Sequence, residues 1–254
     1  MGIGEAIAKG LDVAKKSFGL VLLVFVFGFA FNLLNLFMAP PAGTDPNQAP
    51  PAGMIVAGIL FIFLTIYFQA GSMAYIHDRI KTGAASIANF TSGGMKYYVK
   101  LLLLGLVVSL VIGVCVVLAA FSVALLQNLQ VVSVPLAILF AALGVYFVVM
   151  FFLAPYAAVV DNQSVGAAIK TSMKLVKKNI LKLLGISAIM ILIGFGIGLV
   201  LGALLAGISV VVKAEMVSQV IFAFLSSAVN SFLGVFVTGA FMAFYLSLQD
   251  RNNN

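Results

Sequence analysis

Long apolar runs alternate with short polar connections along the chain, and this alternation is its dominant pattern. Six runs contain no Asp, Glu, Lys or Arg: residues 18–38, 54–76, 101–126, 134–160, 183–212 and 220–248. A helix that crosses a membrane needs about 20 mostly apolar residues. The pattern therefore predicts an all-α fold, in which six transmembrane helices form a single membrane domain over residues 1–254 of a polytopic integral membrane protein.

Two of the polar connections have the periodicity of amphipathic helices, over about residues 84–100 and 164–182. In the second, five lysines form one stripe: Lys170, Lys174, Lys177, Lys178 and Lys182. Four apolar side chains are expected on the opposite side: Ile169, Met173, Val176 and Ile180. A helix divided in this way lies in the membrane interface, with its apolar face towards lipid and its lysines at the headgroups. Both segments are therefore predicted to be interfacial helices on the cytoplasmic side.

The two amphipathic segments also resemble each other. A shift of 82 residues places Lys96 on Lys178 and Lys100 on Lys182, and each segment leads into an apolar run. The "TSGG" stretch at residues 91–94 is expected to break the first helix, whereas the second is expected to continue unbroken. This similarity is weak, but it is compatible with the repeated pairs of spans that transporters often contain.

Composition supports a membrane location and limits the available chemistry. Apolar residues make up 63% of the chain and charged residues 8%, against just under half and about a quarter in soluble domains. The lone Cys115 excludes an intramolecular disulfide, and the sequence has no Cys/His cluster to bind a metal. We therefore expect neither a metal nor a cofactor. The net charge of +7 does not indicate nucleic acid, because the basic residues lie in connections that flank the apolar runs.

The basic residues predict the orientation of the protein. Of the 14 Lys and Arg residues, only Lys213 lies outside the N-terminal segment, the second and fourth connections and the tail. Because Lys and Arg accumulate in short cytoplasmic loops, both termini are predicted to be cytoplasmic. The protein is then a multi-pass protein of the cytoplasmic (inner) membrane. The proline-rich segment 39–53 becomes an extended external loop.

The polar residues within the apolar runs are neutral and leave two alternatives open. The candidates for a polar intramembrane face are Asn32, Asn35, Gln69, Ser226 and Asn230. These side chains either form hydrogen bonds between helices or line a polar cavity.

Small residues recur along the fifth run at the spacing of one helix face: Gly194, Gly198, Gly202 and Ala206. Such a face lets a second helix approach closely. The partner is expected to be a neighbouring span of the same chain, with a second protomer as the alternative.

The stretch "FFLAPYAAVVDNQSVGAAIKTSMKLVKKNILKLLGI" combines a proline near the end of a span, an acidic turn, an Ala-x-x-x-Ser helix and a Lys/Asn cluster. The corresponding residues are Pro155, Asp161, Ala168 with Ser172, and Lys178 with Asn179. The combination resembles a mostly uncharacterised family of six-span prokaryotic membrane proteins, which is related to the membrane domain preceding glycerophosphodiester phosphodiesterases. The resemblance implies a fold. It does not imply phosphodiesterase activity, because the 254 residues do not include the catalytic domain.

Two functions from different classes are predicted. The first is a non-enzymatic membrane protein that binds or organises anionic lipid, or supports an envelope partner, through the lysine stripe with Lys96 and Lys100. The alternative for these lysines is that they only fix the topology. The second function is a transporter or channel for a small neutral or amphipathic solute. A homo-oligomer or a membrane protein partner is compatible with both, and no enzyme is predicted because the single His77 lies at a span boundary.

Overall fold

The computed structural model describes residues 2–38, 51–125, 129–212 and 214–253. Within these ranges the chain is all-helical with no strand, which confirms the predicted fold class. The helices are α1 (Ile3–Lys16), α2 (Phe18–Met38), α3 (Ala52–Thr82), α4 (Ile87–Leu125), α5 (Gln130–Phe151), α6 (Ala154–Val160), α7 (Val165–Val211) and α8 (Glu215–Asn253). Most of the predicted external loop and Lys213 lie outside the described residues.

Six helical segments in the described part of the chain are long and apolar enough to cross a membrane, as the sequence predicts. They are Phe18–Met38, Ala52–Thr82, Ile87–Leu125, Gln130–Val160, Val165–Ile208 and Met216–Asp250. Only 0% to 28% of the apolar window in each segment is buried inside the protein. Apolar helix surface that protein does not cover needs lipid around it. The structure is therefore that of a multi-pass membrane protein.

The two predicted interfacial segments are continuous with the spans that follow them. α4 runs without interruption through the TSGG stretch, so the predicted break there is wrong. A glycine inside a helix costs conformational entropy, but a side chain at Gly93 would collide with the side chain of Ala74 on α3. The irregular residue lies instead in α7, where Asn179 has φ −132° and ψ 26°.

The predicted span 134–160 consists of two helices. α5 ends at Phe151, and α6 begins at Ala154 with Pro155 in its first turn. Proline lacks a backbone N–H, so the first turn of a helix, where that N–H would have no helical partner, suits it best. The chain therefore turns at residues 152–153, and a new helix starts there.

The chain divides into two compact units, of which the first comprises Met1–Met95 and Lys182–Asn254. In this first unit α8 contacts α1, α2 and α3. Tyr245 and Met242 of α8 have 0% exposure. The last span of the chain is therefore the centre of this unit.

The second unit comprises Lys96–Leu181. Its buried side chains cluster around the turn between α5 and α6 and on the first turns of α7. Leu153, Ala157 and Val176 have 0% exposure. The region that carries the sequence resemblance therefore forms a packed core of its own.

The same local packing occurs at three places. In each, an amphipathic segment lies against the second, fourth or sixth span of the chain, with a small residue at the contact. These residues are Gly10 of α1 (against α8), Gly94 of α4 (against α3) and Ser172 of α7 (against the α5–α6 turn). The residues four before and three after them are also buried: Ala6 and Val13, Phe90 and Tyr97, Ala168 and Leu175. The internal similarity thus extends to α1. At the predicted shift of 82 residues, buried residues of α4 fall on buried residues of α7: Phe90, Gly93, Gly94, Leu101 and Leu104 on Ser172, Leu175, Val176, Leu183 and Ile186. The burial pattern therefore agrees with the predicted alignment.

Candidate functional site

Four lysines on the first turns of α7 form an exposed row that we term the lysine surface: Lys170, Lys174, Lys177 and Lys178. At 1.5 Å per residue the row is about 12 Å long. Lys182 is also exposed, but it follows the kink at Asn179. The predicted stripe of five lysines is therefore a regular helical row of four, with the fifth beyond the kink.

The opposite side of this helix is buried in the protein. Ala168, Ser172 and Val176 have 0% exposure and Leu175 has 5%. The prediction that the side facing away from the lysines contacts lipid is wrong for Val176, because this side packs near the turn between α5 and α6. Ile169 and Met173 are half-buried, and of the four residues predicted to face lipid only Ile180 is exposed.

Ser172 fixes the helix that carries the lysine surface. Its hydroxyl donates a hydrogen bond to the carbonyl oxygen of Met150 at 2.7 Å and accepts one from the backbone N–H of Leu153 at 3.1 Å. Both backbone groups lie at the break between α5 and α6, where the helical hydrogen bonds are interrupted. The lysines are therefore presented from a helix held in one position, which lowers the entropic cost of binding a ligand.

The positive charges of the lysine surface have few carboxylates near them. In the described ranges a lysine pairs with a carboxylate between Lys16 and Asp12, and the imidazole of His77 lies 3.8 Å from the carboxylate of Asp78. Lys178 makes an interaction of its own with another group. The remaining three lysines of the row produce an uncompensated positive potential, which attracts anions.

Lys100, which was predicted to bind a lipid headgroup, stabilises a turn inside the second unit. Its ammonium donates hydrogen bonds to the backbone carbonyl oxygen of Asn162 at 2.9 Å and to its side-chain oxygen at 2.8 Å. Asn162 has φ 52° in the turn between α6 and α7, a left-handed conformation that asparagine tolerates. Lys96 is exposed, and its Nζ lies 5.0 Å from the centre of the Tyr97 ring. Of Lys96 and Lys100, Lys96 is therefore the better candidate for binding a lipid headgroup.

A cavity of about 480 Å³ lies where α2, α7 and α8 meet in the first unit. Its polar lining consists of Asn32, Asn35, Ser218 and Gln219. The sequence predicted the two asparagines but not Ser218 and Gln219, which precede the predicted sixth run. α8 begins at Glu215, so these two residues belong to the helix. Extending the predicted sixth helix towards its N-terminus would have included Ser218 and Gln219.

Asn32 and Asn35 were predicted either to form hydrogen bonds between helices or to line a polar cavity, and each alternative holds in part. The amide of Asn32 donates a hydrogen bond to the hydroxyl of Ser227 at 2.8 Å, which joins α2 to α8. The amide of Asn35 donates to the carbonyl oxygen of Phe31, one turn earlier, at 3.1 Å. The same two side chains line the cavity. They therefore both tie the helices together and give the cavity polar groups.

The other polar residues predicted for this face lie in different surroundings. Gln69 is exposed on α3 and lines a separate, smaller cavity. Ser226 donates a hydrogen bond to the carbonyl oxygen of Ala223 in its own helix at 3.3 Å. Asn230 is exposed and lines neither of these two cavities. One continuous polar face on α8 is therefore not formed.

The small residues of the fifth run have no close helix neighbour within the first unit. A side chain at Gly194, Gly198 or Gly202 would meet no atom of that unit outside its own helix within 4 Å, and Ala206 is exposed. A partner for this face, either a neighbouring span or a second protomer, therefore stays a prediction. The close helix contacts occur instead at Gly10, Gly71, Gly93 and Gly94.

Comparison with known proteins identifies a family without an assigned function. A family model described as "Domain of unknown function (DUF7847)" matches residues 1–248. No curated protein and no solved structure matches the chain. The match gives no link to the membrane domain that precedes glycerophosphodiester phosphodiesterases, so that part of the resemblance stays a prediction.

Proposed function

The chain belongs to the family described as "Domain of unknown function (DUF7847)", and we propose that it is a non-enzymatic protein of the cytoplasmic membrane that binds anionic lipid through its lysine surface. One observation carries this proposal. Lys170, Lys174 and Lys177 are exposed and pair with no carboxylate among the residues that the structure describes. The opposite side of their helix is buried and is hydrogen-bonded through Ser172.

The magnitude of the attraction follows from general membrane electrostatics. A lysine at an anionic membrane surface contributes about 1 kcal/mol of attraction, which corresponds to about a fivefold change in affinity. Topology alone requires basic residues near a span but does not require a rigid support for them. The buried side of the helix therefore supports a binding role in addition to a topological one.

The proposal includes an orientation. Four apolar helices precede the lysine surface, and one membrane crossing by each of them would put this surface on the same side as the N-terminus. Excess Lys and Arg favour the cytoplasmic side. The lysine surface would then face the inner leaflet, where anionic headgroups are the ligands available to it.

Lipid selectivity tests the proposal directly. The purified chain is reconstituted with equal amounts of phosphatidylcholine and phosphatidylglycerol, and native mass spectrometry records the lipids that remain bound. We expect the wild type to retain phosphatidylglycerol in preference. Replacing Lys170, Lys174 and Lys177 with Gln is expected to reduce this preference by at least about fivefold and by up to about 150-fold, because each of the three lost charges removes up to about 1 kcal/mol of attraction.

A matched control separates a site from a general effect of net charge. Lys9, Lys15 and Lys81 are exposed lysines of the first unit, and their replacement with Gln removes the same total charge. This control is expected to keep most of the selectivity. Equal losses in the two triple variants, or no selectivity in the wild type, would show that the lysine surface is not a lipid site.

A second function has support from a different observation. The cavity between α2, α7 and α8 is lined by two asparagines, a serine and a glutamine. Neutral polar groups in an apolar wall suit a small neutral or amphipathic solute. The second candidate is therefore a transporter or channel for such a solute.

A further inference from the structure

A second, mainly apolar cavity lies among the spans of the first unit, between α2, α3 and α8. Its volume is about 250 Å³. Its polar lining consists of Thr65, Gln69 and Ser72 on α3 and Thr238 on α8. Residues spaced by four and three lie on one face of a helix, so the three groups of α3 point to one side and face Thr238 across the cavity.

The four polar side chains of this cavity lack hydrogen-bond partners among the described residues. Other hydroxyls in the spans bond to their own helices. Ser122 donates to the carbonyl oxygen of Leu118 at 2.8 Å, for example, and Ser227 to that of Ala223 at 2.6 Å. Thr65, Gln69, Ser72 and Thr238 therefore present a cluster of unused donors and acceptors.

The depth of the cavity makes these unused groups costly. Asp78 is the first charged residue of α3, and Ser72 and Gln69 precede it by about two to two and a half helical turns, which is about 9–14 Å along the axis. That distance lies within a hydrocarbon core about 30 Å thick. Polar groups without partners are unfavourable there because no water replaces the missing hydrogen bonds. A molecule that bonds to them removes this cost.

The chemistry of the cavity selects an uncharged ligand. No charged side chain lines it in the described part of the chain, and a charge without a counter-ion is strongly disfavoured at this depth. The volume suits a headgroup rather than a whole lipid. Thr65 and Gln69 are exposed on the outer surface of α3, so the apolar part of a ligand can extend along the lipid-facing side of this helix.

We propose that this cavity binds the headgroup of an uncharged lipid that carries hydroxyl and ester oxygens. The amide of Gln69 donates to ester oxygens and accepts from the hydroxyl, while the hydroxyls of Ser72 and Thr238 serve as either donor or acceptor. Phe27 and Phe68, whose rings stack with centroids 4.0 Å apart, supply part of the apolar wall. The site is distinct from the lysine surface in both position and ligand charge.

Photolabelling tests the proposal. The full chain is placed in phosphatidylcholine nanodiscs that contain a photoreactive diacylglycerol, and the labelled peptides of α3 and α8 are quantified by mass spectrometry. The double variant Gln69→Leu, Thr238→Val removes the hydrogen-bonding groups and keeps similar side-chain volumes. We expect its labelling of these peptides to fall about tenfold, because the loss of two net hydrogen bonds is of this order.

The matched control is Asn230→Leu, which also replaces an exposed amide in a span with leucine but lies outside the cavity. Its labelling is expected to stay within about twofold of the wild type. Equal labelling of the wild type and the double variant would overturn the proposal. So would a competition in which unlabelled diacylglycerol fails to reduce the wild-type signal.

Thermal unfolding separates loss of binding from loss of fold. Without added diacylglycerol the double variant is expected to unfold at or above the temperature of the wild type, because it removes unpaired polar groups from the spans. Added diacylglycerol is expected to raise the unfolding temperature of the wild type only. If the double variant is less stable, Ser72→Ala provides a milder change, and undiminished labelling of that variant would contradict the proposal.

Discussion

Ser172→Ala removes one hydroxyl and should expose how much the turn between α5 and α6 depends on α7. The backbone N–H of Leu153 and the carbonyl oxygen of Met150 would both lose the partner that Ser172 supplies. The serine has 0% exposure, so water does not easily replace it. A buried donor or acceptor left without a partner costs about 1–3 kcal/mol. Two such groups cost roughly 2–6 kcal/mol, of which the higher helix propensity of alanine offsets about 0.5 kcal/mol.

The expected result is therefore a loss of about 2–5 kcal/mol in the free energy of unfolding. It can be measured by titrating the full chain from dodecyl maltoside into sodium dodecyl sulfate and following the helical circular dichroism signal. Thr171→Ala is the control, because it removes a neighbouring hydroxyl from a half-buried position on the same helix. A difference of less than about 0.5 kcal/mol between the two variants would refute the argument that Ser172 holds this turn together.

Two further predictions follow from the close contact of α1 and from the larger cavity. In Gly10→Ala the new Cβ would lie 2.5 Å from the backbone nitrogen of Ala240, so we expect a loss of about 1–3 kcal/mol in the same unfolding assay. Gly4→Ala on the same helix meets no atom within 4 Å and should stabilise by up to about 1 kcal/mol; equal effects of the two would contradict the packing of α1 on α8. If the protein transports a neutral solute, Asn35→Leu should lower glycerol flux into proteoliposomes several-fold by light scattering, whereas Asn230→Leu, outside the cavity, should not. Unchanged flux in Asn35→Leu would count against the transporter.

The packed segments show which register the internal similarity has. Lysine positions on an exposed helix side tolerate shifts of one turn, so matching Lys96 with Lys178 does not fix the register by itself. Buried positions tolerate little change in volume, and the same shift of 82 residues places buried Gly94 on buried Val176 and buried Leu101 on buried Leu183. The extension of the similarity to α1 became visible only because Gly10 lies against α8.

The candidate sites divide in the same way. Exposed lysines, the absence of charge in the apolar runs and the two asparagines of the larger cavity were predictable from residue types. The small-residue stripe at Gly194 had the spacing of a packed face, but spacing does not supply the second helix. Thr65, Ser72 and Thr238 are ordinary residues in their local sequence, and only the meeting of α3 and α8 makes them a cluster.

The sequence by itself determined the fold class and the number of apolar helices, because the length of an apolar run and its lack of charge decide whether a helix can cross a membrane. The predicted orientation also rests on sequence, since it depends on which connections carry Lys and Arg. The tertiary structure decided which side of each helix is buried. In a membrane span nearly every side chain is apolar, so lipid-facing and protein-facing sides have the same composition. Only the contacts distinguish the two sides, such as that of Gly10 in α1 with α8 and that of Ser172 in α7 with the α5–α6 turn.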